Sequence, residues 1–380
     1  MDHIAQVLGL SPAEIRRRNF LKPGQTTTTE QTIREEIDLD KLLDRALELS
    51  GYAAKKAQFA QQNRSSGIKR GMGIAAFLHG AGFTGSGERY LASVVGVEAC
   101  ADGTVQVLVS STEFGQGTNT VLSQIAAEAL TLPYEYIRMA PPDTSQVPNS
   151  GPTVASRTAM VVGGLVRSAA IGIRQTLITS GLLGASYSPE EFVEACHRHL
   201  AEHGQLRSYA RYEPPEGVFW DDQKYRGEAY ATFAWAIYIA EVKVDLSTYS
   251  ARVEDFVALQ EVGKVLHPIL ARGQIAGGVA QGIGFALYEK VAWQNGRMQN
   301  GQMTNYIMPG SGDLPQIRVF FEEMGNVHGP YGAKGIGELP IDGPAPAIVN
   351  AIADALGTPF DSVPLLPEDI FEAVSANGTR

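Results

Sequence analysis

The sequence predicts an α+β protein built of mixed α/β layers. Three observations lead there. Short runs of β-branched and aromatic residues alternate with stretches whose apolar residues recur at helical spacing. Glycine-rich turns fall between them, and two helix starts carry the capping pattern Ser-Pro-x-Glu. At roughly 150 residues per domain, 380 residues suit two or three domains. An apolar share of 44% with 19% charged residues permits large cores and excludes wholesale disorder.

Residues 1–66 read as a helical leader and linker. Ser11-Pro12-Ala13-Glu14 is a capping box with proline at the first helical position, so a helix should run through Arg16–Arg18. Leu39, Leu42, Leu43, Ala46 and Leu47 share one face of a second helix, which Gly51 stops. The polar stretch Gln58–Ser66 reads as linker. Residues 67–187 form a first subdomain, with strands at Ile74–Leu78, Leu91–Val97 and Val105–Ser110. A helix over Asn119–Leu130, a strand at Tyr136–Met139 and a long helix over Arg157–Ser180 follow.

Residues 188–380 form a second subdomain. Ser188-Pro189-Glu190-Glu191 caps its first helix, and Tyr212–Tyr225 is a loop. Two long strands, Tyr230–Asp245 and Arg252–Gln260, turn at Ser247–Ser250. Gln274–Leu287 is apolar yet holds four glycines. In a helix each costs roughly 1 kcal/mol against alanine, so close packing must compensate. Pro344–Leu356 is a helix closed by Gly357.

Composition narrows the function. Forty-one acidic against 31 basic residues give a net charge of −10 with no long Lys/Arg run, so no nucleic-acid partner is expected. Cys100 and Cys196 are too few and too far apart to hold zinc or an iron–sulfur cluster, and they favour a reducing compartment. The start of the chain lacks a signal-peptide pattern, and the longest apolar run, Tyr230–Ala240, falls short of the ~20 residues of a membrane span. A cytoplasmic protein with no membrane span is expected.

Four segments pair polar residues with small ones, where a backbone can approach a ligand closely. Glu113-Phe114-Gly115-Gln116-Gly117-Thr118-Asn119 ends a strand and opens a helix, so its N–H groups should form an anion site; an ordinary capped turn is the alternative. Asn149–Thr158, with Thr153-Val154-Ala155-Ser156 at its centre, offers backbone and hydroxyl groups to a polar ligand or simply caps a helix. Gln281 is a lone amide in an apolar stretch, where burial would demand a partner from protein or ligand. Gly335-Ile336-Gly337-Glu338-Leu339-Pro340 sets a carboxylate on a constrained turn, as a general base requires, although an exposed turn glutamate would look the same. Cys196, His199 and His203 share a helix face but lack the HExxH order and a fourth ligand, so no metal is expected there. His3, His79, His267 and His328 carry no usable spacing.

Taken in order, the four segments resemble the molybdenum hydroxylase family, which includes xanthine dehydrogenase and aldehyde oxidoreductase. The resemblance spans nearly the whole chain but only the C-terminal half of the family's molybdopterin-binding large subunit. It implies that Gly115, Gln116 and Gly117, then Thr153, Val154, Ala155 and Ser156, then Gln281 and Gly337 face a molybdenum–molybdopterin cofactor, with the Ala155 backbone nearest the metal. It implies that Phe83 and Thr84 face substrate and that Glu338 is the catalytic base. The implied reaction uses water to hydroxylate an electron-poor carbon of a xanthine-like aromatic N-heterocycle, with hydride passing to the molybdenum centre. An aldehyde-oxidising member, or a non-catalytic cofactor-binding or assembly protein, is the alternative. Whether the pterin carries a cytosine dinucleotide stays open. No Fe-S cluster or FAD is expected in this chain. The implied partners are a subunit with the N-terminal half of the molybdopterin domain, a [2Fe-2S] subunit, an FAD subunit and a small-molecule substrate. The chain thus reads as one subunit of a divided hetero-oligomer, or as a truncated relic.

Overall fold

A computed structural model describes residues 1–378 of the chain. Two four-stranded sheets are built from β1 (Ile68–Ala81), β2 (Val94–Ala99), β3 (Val105–Leu108), β4 (Ile137–Met139), β5 (Arg207–Arg211), β6 (Thr232–Asp245), β7 (Ser250–Glu261) and β8 (Gln316–Glu322). The helices that cover them are α1 (Leu39–Ser50), α2 (Tyr52–Gln62), α3 (Thr118–Leu130), α4 (Gly163–Thr179), α5 (Pro189–His203), α6 (Pro268–Leu287) and α7 (Pro344–Leu356). Mixed layers of helix and sheet are what the sequence predicts.

The larger sheet runs β1-β6-β7-β8, antiparallel except for the parallel β7–β8 pair. Alternation along β6 sends Phe233, Trp235, Ile237 and Ile239 toward Leu42, Leu43 and Ala46 of α1. Ala234, Ala236, Tyr238 and Ala240 face Ile275 and Ile283 of α6 and Ile348 and Ile352 of α7. With both faces covered, the strand has no polar side, which is why its apolar run is unbroken. The smaller sheet runs β4-β3-β2-β5. Its Val95, Val97, Val105 and Val107 pack on Leu122 and Ile125 of α3, Val166 and Ile173 of α4, and Phe192 of α5.

Each sheet draws strands from both sides of residue 187: β1 pairs with β6, and β5 pairs with β2. The leader is no separate body either, since α1 covers β6. Gln58–Gln62 are helical, part of α2, so the polar stretch read as linker is mostly the wet side of a helix. Strand β1 starts at Ile68 rather than Ile74. Its Gly71 and Gly73 blur the alternation because α7 rests directly on them: a Cβ on Gly73 would stand 2.0 Å from the Ala347 carbonyl oxygen. Leu91 closes a short helix, Gly87–Leu91, so β2 begins only at Val94. A π turn, Thr158–Val162, opens the long helix. The 22 residues Thr158–Thr179 are apolar and long enough to cross a membrane by length and composition; they pack as a core helix here, half buried.

The glycine cost in α6 is offset as expected on one side only. A Cβ on Gly278 would meet the Pro340 Cβ at 2.5 Å, and one on Gly282 would meet Pro344 at 2.6 Å. Around Gly277 there is nothing within 4 Å. Two adjacent substitutions should therefore change stability in opposite directions. Gly277→Ala should stabilise by about 0.5–1 kcal/mol through helix propensity. Gly278→Ala should destabilise, because overpacking against a rigid proline costs about 1–3 kcal/mol and exceeds the same gain. Urea unfolding of the two variants checks the signs.

Candidate functional site

Two loops, one from each sheet's surroundings, meet at a cavity of about 470 Å³. The first wall is residues 153–159 together with Phe114, Gln116 and Gly117; the second is residues 333–338; α6 closes the side with Leu270, Gln274 and Gln281.

The first wall is tied internally. The Thr112 N–H donates to Thr153 Oγ1 at 2.8 Å, joining the Gly115–Gly117 turn to the residue-153 loop. Ala155 (φ 56°) and Ser156 (φ 49°) are successive non-glycine residues in the left-handed region, each costing roughly 1–2 kcal/mol. Buried charge holds that strain. The Arg157 guanidinium, fully buried, donates from Nε and Nη2 to the two oxygens of Glu88 at 2.8 Å each, and further to Ser93 Oγ and the Ser150 and Pro152 carbonyls. Glu88 Oε1 also accepts the Phe83 N–H at 3.0 Å, and the Gly82 N–H donates to the Ala155 carbonyl. The Phe83-Thr84 turn is thereby bound to the Ala155 loop.

The second wall hangs on Lys334, which is buried and donates to Glu261 Oε2 at 2.5 Å and to the Phe233 carbonyl at 2.8 Å. After it the chain passes so close to the first wall that a Cβ on Gly335 would stand 1.5 Å from the Ser156 carbonyl oxygen. Ser156 Oγ accepts the Glu338 N–H at 3.0 Å and donates to Glu338 Oε2 at 3.2 Å. The carboxylate is half exposed and lines the cavity.

Most residues singled out in the sequence converge here. Gln116, Gly117, Thr153, Val154, Ala155, Ser156, Gln281, Gly337 and Glu338 all line the cavity. Gly115 sits one step back on its turn, and Phe83 and Thr84 are not among the lining residues. Two readings need correction. The N–H groups at the start of α3 are not open to an outside anion, because Glu113 takes them: its carboxylate accepts from Gly115, Gly117 and Asn119 at 2.8–3.1 Å. Burial would raise the Glu113 pKa, yet these backbone donors outweigh it and hold the pKa below the usual glutamate value. Gln281 is exposed on the cavity wall rather than buried, so no structural partner is required of it.

The Gln116 amide already accepts from the Phe114 N–H and donates to the Thr112 carbonyl and Thr118 Oγ1, so it also shapes its own turn. Cys196, His199 and His203 gather no ligand set; no group of three His, Cys, Asp or Glu residues suited to a metal occurs among the described residues. Burial pushes the Cys196 thiol up to about 12. Sequence spacing missed His79, which bridges Glu338 and Asp342 from strand β1.

The lining suits a pterin. Amides (Gln116, Gln274, Gln281), hydroxyls (Thr153, Thr158) and glycine backbone can read the donor–acceptor edge of such a ring, and apolar side chains such as Leu270 and Ile336 can flank its faces. Such a set would hold an organic cofactor through its ring edge and faces rather than through a metal.

Fold and site together define a domain that binds an organic cofactor between two glycine-rich loops, with one carboxylate at the rim. The model of the molybdopterin cofactor-binding domain family matches residues 45–315, and the chain belongs to that family. It is 28% identical to the xanthine dehydrogenase molybdenum-binding subunit of Escherichia coli O157:H7 over 98% of its own length and 50% of the relative's. Against the gamma subunit of the 6-hydroxypseudooxynicotine dehydrogenase complex of Paenarthrobacter nicotinovorans the identity is 30%, over 96% and 48%. The solved aldehyde oxidoreductase of Desulfovibrio desulfuricans superposes with a TM-score of 0.83 at 30% identity, over 98% of this chain and 39% of that one. The chain thus spans about half the length of the curated relatives it matches.

The buried Glu88–Arg157 pair carries a prediction. Arg157→Met removes the only cation that the buried Glu88 contacts among the described residues. Stranding a buried charge typically costs about 3–5 kcal/mol. Urea unfolding should show a loss of that size, with proteolytic cleavage appearing first in residues 149–157.

Proposed function

We propose that this chain is the part of a molybdenum hydroxylase that carries the catalytic base, and that it acts on an electron-poor carbon of an aromatic N-heterocycle. The observation that carries this reading is Glu338: a carboxylate at the rim of a cofactor-sized cavity, with one oxygen held by Ser156. When bound, the molybdenum–pterin group supplies the oxygen to be transferred and accepts the two electrons removed from substrate.

The chain's own residues do the rest. Glu338 accepts a proton as the carbon–oxygen bond forms, which requires a carboxylate ionised at rest and fixed within hydrogen-bond reach. Ser156 and Gly335 hold it there. Gln116, Gln281 and the Thr153–Ser156 loop would hold the cofactor, with the Ala155 backbone toward its metal side, and Phe83-Thr84 would face the substrate side. The further cofactor contacts, the Fe-S clusters and the flavin are assigned to partner polypeptides. The relatives named above support this, since two carry names that make them subunits of larger enzymes. An aldehyde substrate is the second reading, favoured by the likeness to aldehyde oxidoreductase.

Glu338→Gln keeps the shape and removes the base. In the assembled enzyme, with molybdenum content verified equal to wild type, turnover should fall by about 10²–10⁴-fold. Single-turnover reduction of the metal centre, run on a panel of N-heterocycles and aldehydes, checks both the base and the substrate class. Reduction at near wild-type rates would leave Glu338 as a turn residue only.

A further inference from the structure

His79 reaches the Glu338 carboxylate, and strand register explains how. On β1 the residues Gly71, Gly73, Ala75, Phe77 and His79 alternate to one face, the face under α7. The two glycines let α7 lie down on the strand, and His79 emerges beyond the start of that helix. There its ring stands between two carboxylates. Nδ1 lies 2.7 Å from Asp342 Oδ2, and Nε2 lies 3.2 Å from Glu338 Oε2.

We propose that His79, braced by Asp342, is a positioning residue that fixes the Glu338 carboxylate for its work as a base. The inference rests on that assignment of Glu338. Both ring nitrogens face acceptors, and an imidazole donates to two acceptors at once only as the cation. The two carboxylates come from either end of the short helix Leu339–Asp342, and across the strand pair His79 faces the uncharged Ala234. Hydrogen bonding to Asp342 raises the His79 pKa, burial opposes this, and the Asp342 charge and the Glu338 contact add to the rise.

The consequence for Glu338 is a division of labour between its oxygens. Oε2 is held by two donors, Ser156 Oγ and His79 Nε2. Oε1 has no protein donor among the described residues and is the oxygen left for the reacting proton. Asp342 fixes the imidazole ring, much as a carboxylate orients the outer nitrogen of a metal-bound histidine.

The test uses the assembled enzyme and the full chain. In the enzyme, His79→Leu should lower kcat about 10–100-fold, the range typical of lost outer-shell support, with KM and molybdenum content unchanged. His79→Gln, which retains one donor toward Glu338, should recover part of the loss, and Asp342→Asn should lower kcat less than His79→Leu. Nitrogen-15 spectra of labelled histidines in the full chain give a second readout. The His79 signals should stay cationic to higher pH than a free histidine, and Asp342→Asn and Glu338→Gln should each move the midpoint down. Wild-type kcat in His79→Leu while Glu338→Gln is inactive would overturn the positioning role alone. A His79 midpoint indifferent to both carboxylate variants would also overturn it. Full activity in Glu338→Gln would bring down the base assignment and this inference with it.

Discussion

The contact between Gly335 and the Ser156 carbonyl is the constraint on which the site depends. The backbones pass so closely that no side chain fits between them, since a Cβ would stand 1.5 Å from the oxygen. One strand of this crossing comes from the loop before α4, packed with the smaller sheet; the other follows β8 and leads to α7 on the larger sheet. The cavity exists because the two meet. Move the loops apart, and Ser156 loses both bonds to Glu338 while the cavity loses its corner.

Each loop is held from behind by a buried ion pair, Glu88–Arg157 on one side and Glu261–Lys334 on the other. Burying such charges costs several kcal/mol per ion, so these pairs are not a cheap source of stability. Their value is geometric. Arg157 gathers Ser93, Ser150, Pro152 and Glu88 into one arrangement and so maintains two left-handed residues in succession. Lys334 pins the chain one residue before the crossing. The polar groups that face the cavity are thus preorganised by groups that do not, which is how a site avoids spending binding energy on ordering itself.

Local chemistry was legible in the sequence where it acts over a few residues. The Ser188–Glu191 capping box, the proline-led helix after Ser11, and the left-handed stops at Gly51 and Gly357 all appear as read. That the residue-116, 153–156 and 338 segments line one cavity is a long-range relation that their spacing does not encode. Relations across the fold were not legible. His79 and Glu338 are joined only by the register of β1 under α7, and no spacing encodes that. Strand β8 and the helix Pro367–Gly378 went unread, and the placement of β8 beside β7 is a matter of long-range pairing. Glu113 misled for a local reason. A carboxylate two residues before a glycine turn can cap the helix itself, which makes an apparent anion site self-satisfied.

The central claim is that the Ser156–Gly335 crossing builds the cofactor's cradle. Its most direct test is the pterin and molybdenum content of the native assembled protein, wild type against Gly335→Ala. The added methyl must separate the two loops while leaving both sheets and their cores untouched. Cofactor present in the wild type and lost from the variant, with far-ultraviolet circular dichroism and cooperative unfolding retained, is the predicted result. A variant that keeps its full pterin and molybdenum, or a wild-type complex that holds neither, would contradict the account.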